Sequence, residues 1–286
     1  TDITSDILGN LYVTGWFRYT AYFDSMNNDS LKAKGFYDTF LAKYKSNGDF
    51  VWVKQIKASN SGSIEAISFF NNELYLTGYF WDTLYINPNN DTILLINKDQ
   101  SADIFVSKFD SLGNYIFAFN LEGSSISNDI CLDNFGNIYI TGSYVNKTDF
   151  DPSQDSVMMT SKGYSDIFIA KYDNYGNYIW ANGIGGKIED EGLCIKAIND
   201  KLFICGYFHD TVDFNAGVDS LPIYGTPNNK NAFVTCYDTS GSYEWVDYIY
   251  GNSSFSALDF YNNNMFIVGG FGNNINYHDS ILLTSN

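Results

Sequence analysis

The oxygen-rich inserts are the first place to look for chemistry. In Asp149-Phe-Asp-Pro-Ser-Gln-Asp155, the carboxylates of Asp149, Asp151 and Asp155 crowd into one turn. Asp213, Asn215 and Asp219 do the same in Asp213-Phe-Asn-Ala-Gly-Val-Asp219. Asp24-Ser-Met-Asn-Asn-Asp29 and Asn87-Pro-Asn-Asn-Asp91 are looser versions. Calcium takes about six to eight hard oxygen ligands, which makes the residues of the first two loops candidate calcium ligands and calcium the one candidate cofactor. Asp, Asn, Gly and Pro are also the ordinary turn formers, because their side chains bond the local backbone or preset its angles. The spacing matches no complete EF-hand loop, so plain turn chemistry is the first expectation.

Catalytic groups are scarce. The two histidines, His209 and His278, stand at non-equivalent positions, and no His/Cys set has transition-metal spacing. A Ser-His-Asp triad assembled by free choice among many Ser and Asp has no weight, since triads are recognised by geometry. Glu189-Asp-Glu191 is the densest carboxylate run and would suit glycosidase acid–base chemistry, but a solvated acidic loop is the simpler reading. No catalytic residue is assigned.

Trp16 and Trp81 are the candidate binding residues, because they lie at or just past the repeating strand described below and outside its fixed aromatic register. Exposed Trp and Tyr offer rigid contact area with a polar handle, which suits a protein or glycan partner.

All these residues hang on a repeat. Asn137-Ile-Tyr-Ile-Thr-Gly142 returns as Asn10-Leu-Tyr-Val-Thr-Gly15, Glu73-Leu-Tyr-Leu-Thr-Gly78, Lys201-Leu-Phe-Ile-Cys-Gly206 and Asn264-Met-Phe-Ile-Val-Gly269. So steady a spacing is the mark of a repeat architecture. Before each phrase comes an apolar strand and a tight polar turn, such as Asn71-Asn72, Asn134-Phe-Gly136, Asn199-Asp200 or Asn262-Asn263. Such residues tolerate the positive φ of hairpin turns. After a variable insert a third strand begins at Asp38, Asp103, Asp166 or Asn231 and ends on Tyr44, Phe109, Tyr172 or Tyr237. A turn with Gly48, Gly113, Gly176 or Gly241 then leads to a fourth strand carrying Trp52, Phe117, Trp180 or Trp245. The constant offset between the two aromatics predicts a fixed hairpin register, because a one-residue slip would turn every side chain over. It also assigns Trp52, Trp180 and Trp245 to packing between units.

Four antiparallel strands per unit of about 64 residues describe a blade of a β-propeller, and no helical periodicity competes. The expected fold is therefore all-β: one propeller over residues 1–286, with units near 1–63, 64–127, 128–191, 192–253 and a partial fifth over 254–286. At least five blades are implied. The fifth unit has its first two strands and insert but not its third and fourth, which is read as a fragment or as strands supplied from elsewhere.

The net charge of −17 repels phosphate backbones and anionic lipid, so neither nucleic acid nor membrane insertion is expected. No apolar run approaches the roughly 18 residues of a membrane span. The chain opens at Thr1 without an apolar leader, which is read as a removed signal peptide or a slice of a longer protein. Of the four cysteines, Cys194 and Cys205 should face each other if Asn199-Asp200 is a two-residue turn; a disulfide and two buried thiols are both open there. Cys131 and Cys236 have no evident counterpart.

The string Asp166-Ile-Phe-Ile-Ala-Lys-Tyr-Asp-Asn-Tyr-Gly-Asn-Tyr-Ile-Trp-Ala181, followed by Ile184-Gly-Gly186, resembles the repeat of the SBBP (seven-bladed β-propeller) family. So do Asp133-Asn-Phe-Gly-Asn-Ile-Tyr-Ile-Thr-Gly142, Thr148-Asp-Phe-Asp-Pro152 and Met159-Thr-Ser-Lys-Gly163. The fourth unit departs from the pattern at Asn231 and Cys236, where Asp and Lys are usual. The resemblance implies a secreted or cell-surface protein of the kind found in Bacteroidota and attaches no catalytic set to the motif. The functional expectation is a non-enzymatic extracellular scaffold or binding module. The alternatives are a calcium-dependent or glycan-binding adhesin, and a hydrolase or lyase with its site in a central funnel.

Overall fold

A computed structural model describes the chain except residues 25–28, 34–36, 87–92, 216–219, 227, 263, 273, 278–280, 285 and 286. Asp219, His278 and the Asn87–Asp91 insert therefore lie outside the described residues. The chain divides into two compact units, Thr1–Ile130 and Cys131–Asn286. Among the described residues all regular structure is β, arranged in antiparallel sheets of two to six strands.

In the first unit, β1 (Asp2–Ser5), β2 (Leu11–Phe17), β5 (Asp38–Tyr44) and β6 (Phe50–Ala58) form one sheet, with the insert hairpin β3 (Thr20–Tyr22)/β4 (Ser30–Lys32) beside it. The second repeat orders β7 (Ser61–Phe70), β8 (Glu73–Trp81), β11 (Asp103–Asp110) and β12 (Tyr115–Leu121). Its own insert hairpin, β9 (Thr83–Ile86)/β10 (Ile93–Ile96), joins the first sheet through Lys57↔Tyr85 and Ala58↔Leu84, making that sheet six-stranded. The division between the two units falls within β13 (Gly123–Leu132).

The second unit carries β14 (Ile138–Asp149), β15 (Met158–Thr160), β16 (Asp166–Tyr172) and β17 (Tyr178–Ile184). A four-stranded sheet follows, ordered β18 (Glu191–Ile198), β19 (Lys201–His209), β22 (Lys230–Asp238) and β23 (Tyr243–Ile249), with the hairpin β20 (Thr211–Asp213)/β21 (Pro222–Tyr224). The fifth repeat consists of β24 (Ser253–Tyr261) paired with β25 (Asn264–Phe271), then β26 (Asn274–Tyr277) paired with β27 (Ile281–Thr284).

Registers repeat without drift. The signature glycine opposes a phenylalanine of the third strand each time: Gly15↔Phe40, Gly78↔Phe105, Gly142↔Phe168 and Gly206↔Phe233. The third and fourth strands pair Lys43↔Trp52, Lys108↔Phe117, Lys171↔Trp180 and Cys236↔Trp245, with an irregularity immediately after each. The offset read from the sequence is thus a register followed by a β-bulge. Cys194 opposes Cys205 as expected, and all four cysteines are buried thiols.

The turns explain their own sequences. In Asp173-Asn-Tyr-Gly-Asn177, Asp173 Oδ1 accepts hydrogen bonds from the N–H groups of Tyr175 (2.8 Å) and Asn177 (2.9 Å). Its Oδ2 accepts from Asn177 Nδ2 at 2.8 Å. Gly176 sits at φ 87°, a conformation glycine adopts without steric cost. Asp6, Asp110 and Asp133 repeat the arrangement with Asn10, Asn114 and Asn137. Burial alone would raise the Asp173 carboxyl's pKa, but the hydrogen bonds from Asn177 and Tyr175 outweigh it and hold the group below the usual carboxylate range.

Cores form between neighbouring sheets. In the first unit Tyr12 stacks on Phe69, ring centroids 5.4 Å apart, while Leu41, Ile56, Leu76 and Phe105 fill the layer around them. In the second, Tyr139, Ile169, Ile204, Phe208 and Phe233 do the same. Burying such a side chain fully contributes about 1.5–3 kcal/mol. A polar clamp accompanies each layer. Lys43 Nζ lies 4.8 Å from the Tyr12 ring centroid and donates to Ser111 O at 3.1 Å. Lys171 Nζ lies 5.1 Å from the Tyr139 ring and donates to Thr239 O at 2.9 Å, where Trp180 Nε1 also donates.

The signature glycine answers a conflict of space. β7, β18 and β24 each bulge opposite it, at Ile64/Ala66, Gly192/Cys194 and Phe255/Ala257. A Cβ on Gly206 would lie 2.0 Å from the Glu191 carbonyl oxygen, and one on Gly78 would lie 1.9 Å from that of Ser63. A Cβ on Gly270 would meet nothing within 4 Å. Gly206→Ala should therefore destabilise the protein by about 1–3 kcal/mol, the range for overpacking, while Gly270→Ala stays near neutral. Urea unfolding of both variants checks this. Equal midpoints would remove the bulge from the account.

Candidate functional site

The candidate site is an exposed aromatic cluster at the end of β2. The strand leaves its signature glycine through Trp16 and Phe17, and Phe17 turns inward while Trp16 stays 57% exposed. Alternation along a strand requires this split. Arg18, the chain's single arginine, and Tyr19 then form the turn into β3, with Tyr19 at φ 65°. Tyr37, just ahead of β5, meets Trp16 edge to face, centroids 5.0 Å apart at 81°. The Arg18 guanidinium carbon lies 5.0 Å from the Tyr19 ring centroid and 5.9 Å from that of Tyr37. Tyr19 is exposed, as is Tyr22 three residues on at the end of β3.

Trp, Tyr and Arg in one exposed group are the residue types that anchor protein interfaces. The rings hold the guanidinium by cation–π attraction, which limits the freedom lost when a partner docks. Sequence reading found Trp16 but missed Arg18, Tyr19, Tyr22 and Tyr37. The available signal was the variation between repeats. The residue after the signature glycine is Trp16, Tyr79, Ser143, Tyr207 and Gly270 in turn, within an otherwise constant frame.

Trp81 stands apart from this arrangement. It closes β8 half-buried, opposite Ser61 and edge-on to Tyr79 at 5.2 Å. In the fourth repeat, Tyr207 lies beneath the Lys230 ammonium, 3.5 Å from its ring centroid, and donates to Glu191 Oε2 at 2.7 Å. Tyr207 is buried by these contacts.

The acidic inserts are closed by hydrogen bonds. Asp149 Oδ1 accepts from Asp151 N (3.1 Å) and Val157 N (2.8 Å), and its Oδ2 accepts from Ser156 Oγ (2.7 Å). Asp151 Oδ1 accepts from Ser153 N, while Asp155 donates its own N–H to Ser153 Oγ. Asp213 Oδ1 accepts from Asn215 N (3.1 Å) and Leu221 N (3.0 Å). Among the described residues, no group of three or more His, Cys, Asp or Glu converges as a metal set.

Glu189-Asp-Glu191 corrects the expectation of a solvated run at its middle residue. Glu189 is exposed, but Asp190 is fully buried. Its oxygens accept from His209 N (2.9 Å) and Gly186 N (2.7 Å), tying β18's start to β19's end. Burial pushes its pKa up to about 8 despite those hydrogen bonds. Asp166 is also buried and raised, and Gly185 leaves room for it, since a Cβ there would sit 2.2 Å from the Asp166 carboxyl carbon. His209 contacts the Glu189 carbonyl through Nδ1.

No family model matches the sequence. Among curated proteins, the chain is similar to an uncharacterized WD repeat-containing protein of Acanthamoeba polyphaga mimivirus, 26% identical over 246 residues. The match covers 73% of this chain and 18% of the relative, so the chain spans less than a fifth of the relative's length.

With Asp149 and Asp213 already accepting backbone N–H groups, calcium excess and chelator should give the same thermal unfolding midpoint. A calcium-dependent rise, which linkage sets at about 2.7 kcal/mol for a hundredfold excess over Kd, would make these carboxylates metal ligands instead.

Proposed function

We propose that this chain is a run of β-propeller blades acting as a non-enzymatic scaffold that offers the Trp16 cluster to a protein partner. The observation that carries the reading is the pairing of a constant frame with a variable rim. Second, third and fourth strands keep one register through four repeats, whereas the residue directly after the signature glycine varies, and only the first repeat places a tryptophan there. Loops on a rigid scaffold are where binding concentrates. The similarity to a WD repeat-containing protein supports the propeller part, as does the four-strand order of the second and fourth sheets. Blades of four strands, at least five in number, and the SBBP kinship belong to this proposal, as does a secreted or cell-surface setting.

A protein partner is favoured over a glycan by the joint presence of Trp16, Arg18 and Tyr19, the residue types that dominate protein interfaces. A photo-crosslinking residue placed at the exposed Tyr22 should capture one defined protein. Trp16→Ala should reduce that capture by about tenfold or more, the effect of losing an interface anchor. Undiminished capture, or retention on a polysaccharide column that Trp16→Ala abolishes, would contradict the proposal.

A further inference from the structure

Two sulfurs meet under β24, at the seam between the fourth repeat and the first strand of the fifth. Cys194 of β18 and Cys205 of β19 are direct partners across the antiparallel ladder. Asn199, at φ 57°, starts the tight turn that sets this register, and the bulge at Gly192/Cys194 lies just beyond the pair. Directly opposed residues on antiparallel strands have Cα atoms about 4.5–5.5 Å apart, inside the roughly 4.4–6.8 Å that a disulfide spans. Here both side chains leave the sheet toward β24. Cys194, Cys205 and Val234 cluster with Leu258 and pack against Phe255 and Phe260. Cys194 Sγ donates to the Leu258 carbonyl at 3.9 Å and Cys205 Sγ to that of Phe255 at 3.8 Å, as weak S–H donors do.

The other two cysteines are placed differently. Cys236 of β22 opposes Phe203, so it is a diagonal neighbour of Cys205, whose own partner on β22 is Val234. Diagonal neighbours lie about 7–8 Å apart, beyond a disulfide's reach. Burial, with the Glu244 carboxylate adding to it, pushes the Cys236 thiol pKa up to about 12 and suppresses the thiolate that exchange requires. Cys131 belongs to another core cluster, with Tyr139, Ile195 and Leu202. The thiols of Cys194 and Cys205 are themselves buried, and Phe255 and Leu258 of β24 are part of their cover. Local lifting of β24 therefore uncovers the two together.

We propose that Cys194 and Cys205 are a dithiol–disulfide couple: as thiols they hold β24, and as a disulfide they bridge β18 to β19 and release it. The oxidant is a low-molecular-weight disulfide. The thiolate of one cysteine attacks a sulfur of that disulfide, breaks its S–S bond and expels one small thiolate, leaving a mixed disulfide on the protein. The second cysteine, as thiolate, attacks the protein sulfur of the mixed disulfide and expels the other small thiolate. One S–S bond forms in the protein, one breaks in the oxidant, and the two cysteine protons end on the two small thiols. Neither sulfur then carries a hydrogen, so the carbonyls of Phe255 and Leu258 lose both donors.

Thiol trapping on the folded chain tests this. The protein is equilibrated over a range of oxidised-to-reduced glutathione ratios, denatured in iodoacetamide and weighed intact. All four cysteines should be alkylated at the reducing end. At the oxidising end only Cys131 and Cys236 should be, with Cys194 and Cys205 recovered in one cross-linked peptide pair. Dithiothreitol should restore all four sites. Cys205→Ser should give no cross-link at any ratio, and Cys205→Ala repeats the test in case the hydroxyl disturbs the seam. In hydrogen exchange, the β24 amides should exchange faster in the oxidised chain than in the reduced one. Four alkylated cysteines at every ratio, or a bridge that includes Cys131 or Cys236, overturns the couple. A Cys194–Cys205 bridge that leaves β24 exchange unchanged overturns the release.

Discussion

A steric conflict at the signature glycine sets the register on which the rest of the structure depends. The first strand bulges toward the second, and the bulged carbonyl comes so close that only a residue without a side chain fits at Gly78, Gly206 or Gly269. Sliding the strands by one residue would bring a β-carbon to that carbonyl and turn the apolar face to water. With the glycine fixed, the third-strand phenylalanine falls opposite it. The aromatic three places earlier then points at the next sheet.

From that register the contacts between repeats follow. Tyr12 and Tyr139 become platforms under Lys43 and Lys171, and those ammonium groups reach the carbonyls of Ser111 and Thr239. Desolvation lowers the pKa of Lys171, against the raising effect of Asp133 and Asp238, so a neighbouring carbonyl and an aromatic face are useful partners for its charge. The turn that supplies Thr239 is held by Asp238, which accepts from the N–H groups of Ser240 and Ser242. Backbone geometry, turn chemistry and sheet packing thus point to one arrangement, the consistency expected of a sequence that specifies its structure. Variation is left to the segment after the signature glycine, where the Trp16 cluster lies.

Local pattern made the strands and turns legible. The third strand beginning at Asp166 and the facing of Cys194 and Cys205 could be read by counting, because strand side chains alternate and a two-residue turn fixes register. Contacts made across repeats were not legible. Nothing in Thr83-Leu-Tyr-Ile86 announces that it pairs with the preceding repeat's fourth strand. Asp190 looked solvated because two glutamates flank it, but its carboxylate is drawn inward by the N–H groups of Gly186 and His209, and nothing local in the sequence places His209 beside it. Asn231, a departure from the repeat, has a physical reason: its amide accepts from Thr226 N and donates to the carbonyls of Phe208 and Asn229, which a carboxylate could not do. The aromatic cluster was half legible, since Tyr37 joins Trp16 from beyond a long insert.

Native-state hydrogen exchange in the second unit tests the central claim, that the third and fourth repeats within it are coupled through their fixed packing. Repeat arrays behave as units joined by nearest-neighbour terms, so coupled repeats open together. The amides of β16, β17, β22 and β23 should exchange with one common opening free energy. Lys171→Met, which removes the link to Thr239, should lower it in both sheets by about 1.5–3 kcal/mol, the scale of a hydrogen bond to a charged group. If protection falls in β16 and β17 alone, the sheets open independently and the coupling account is wrong.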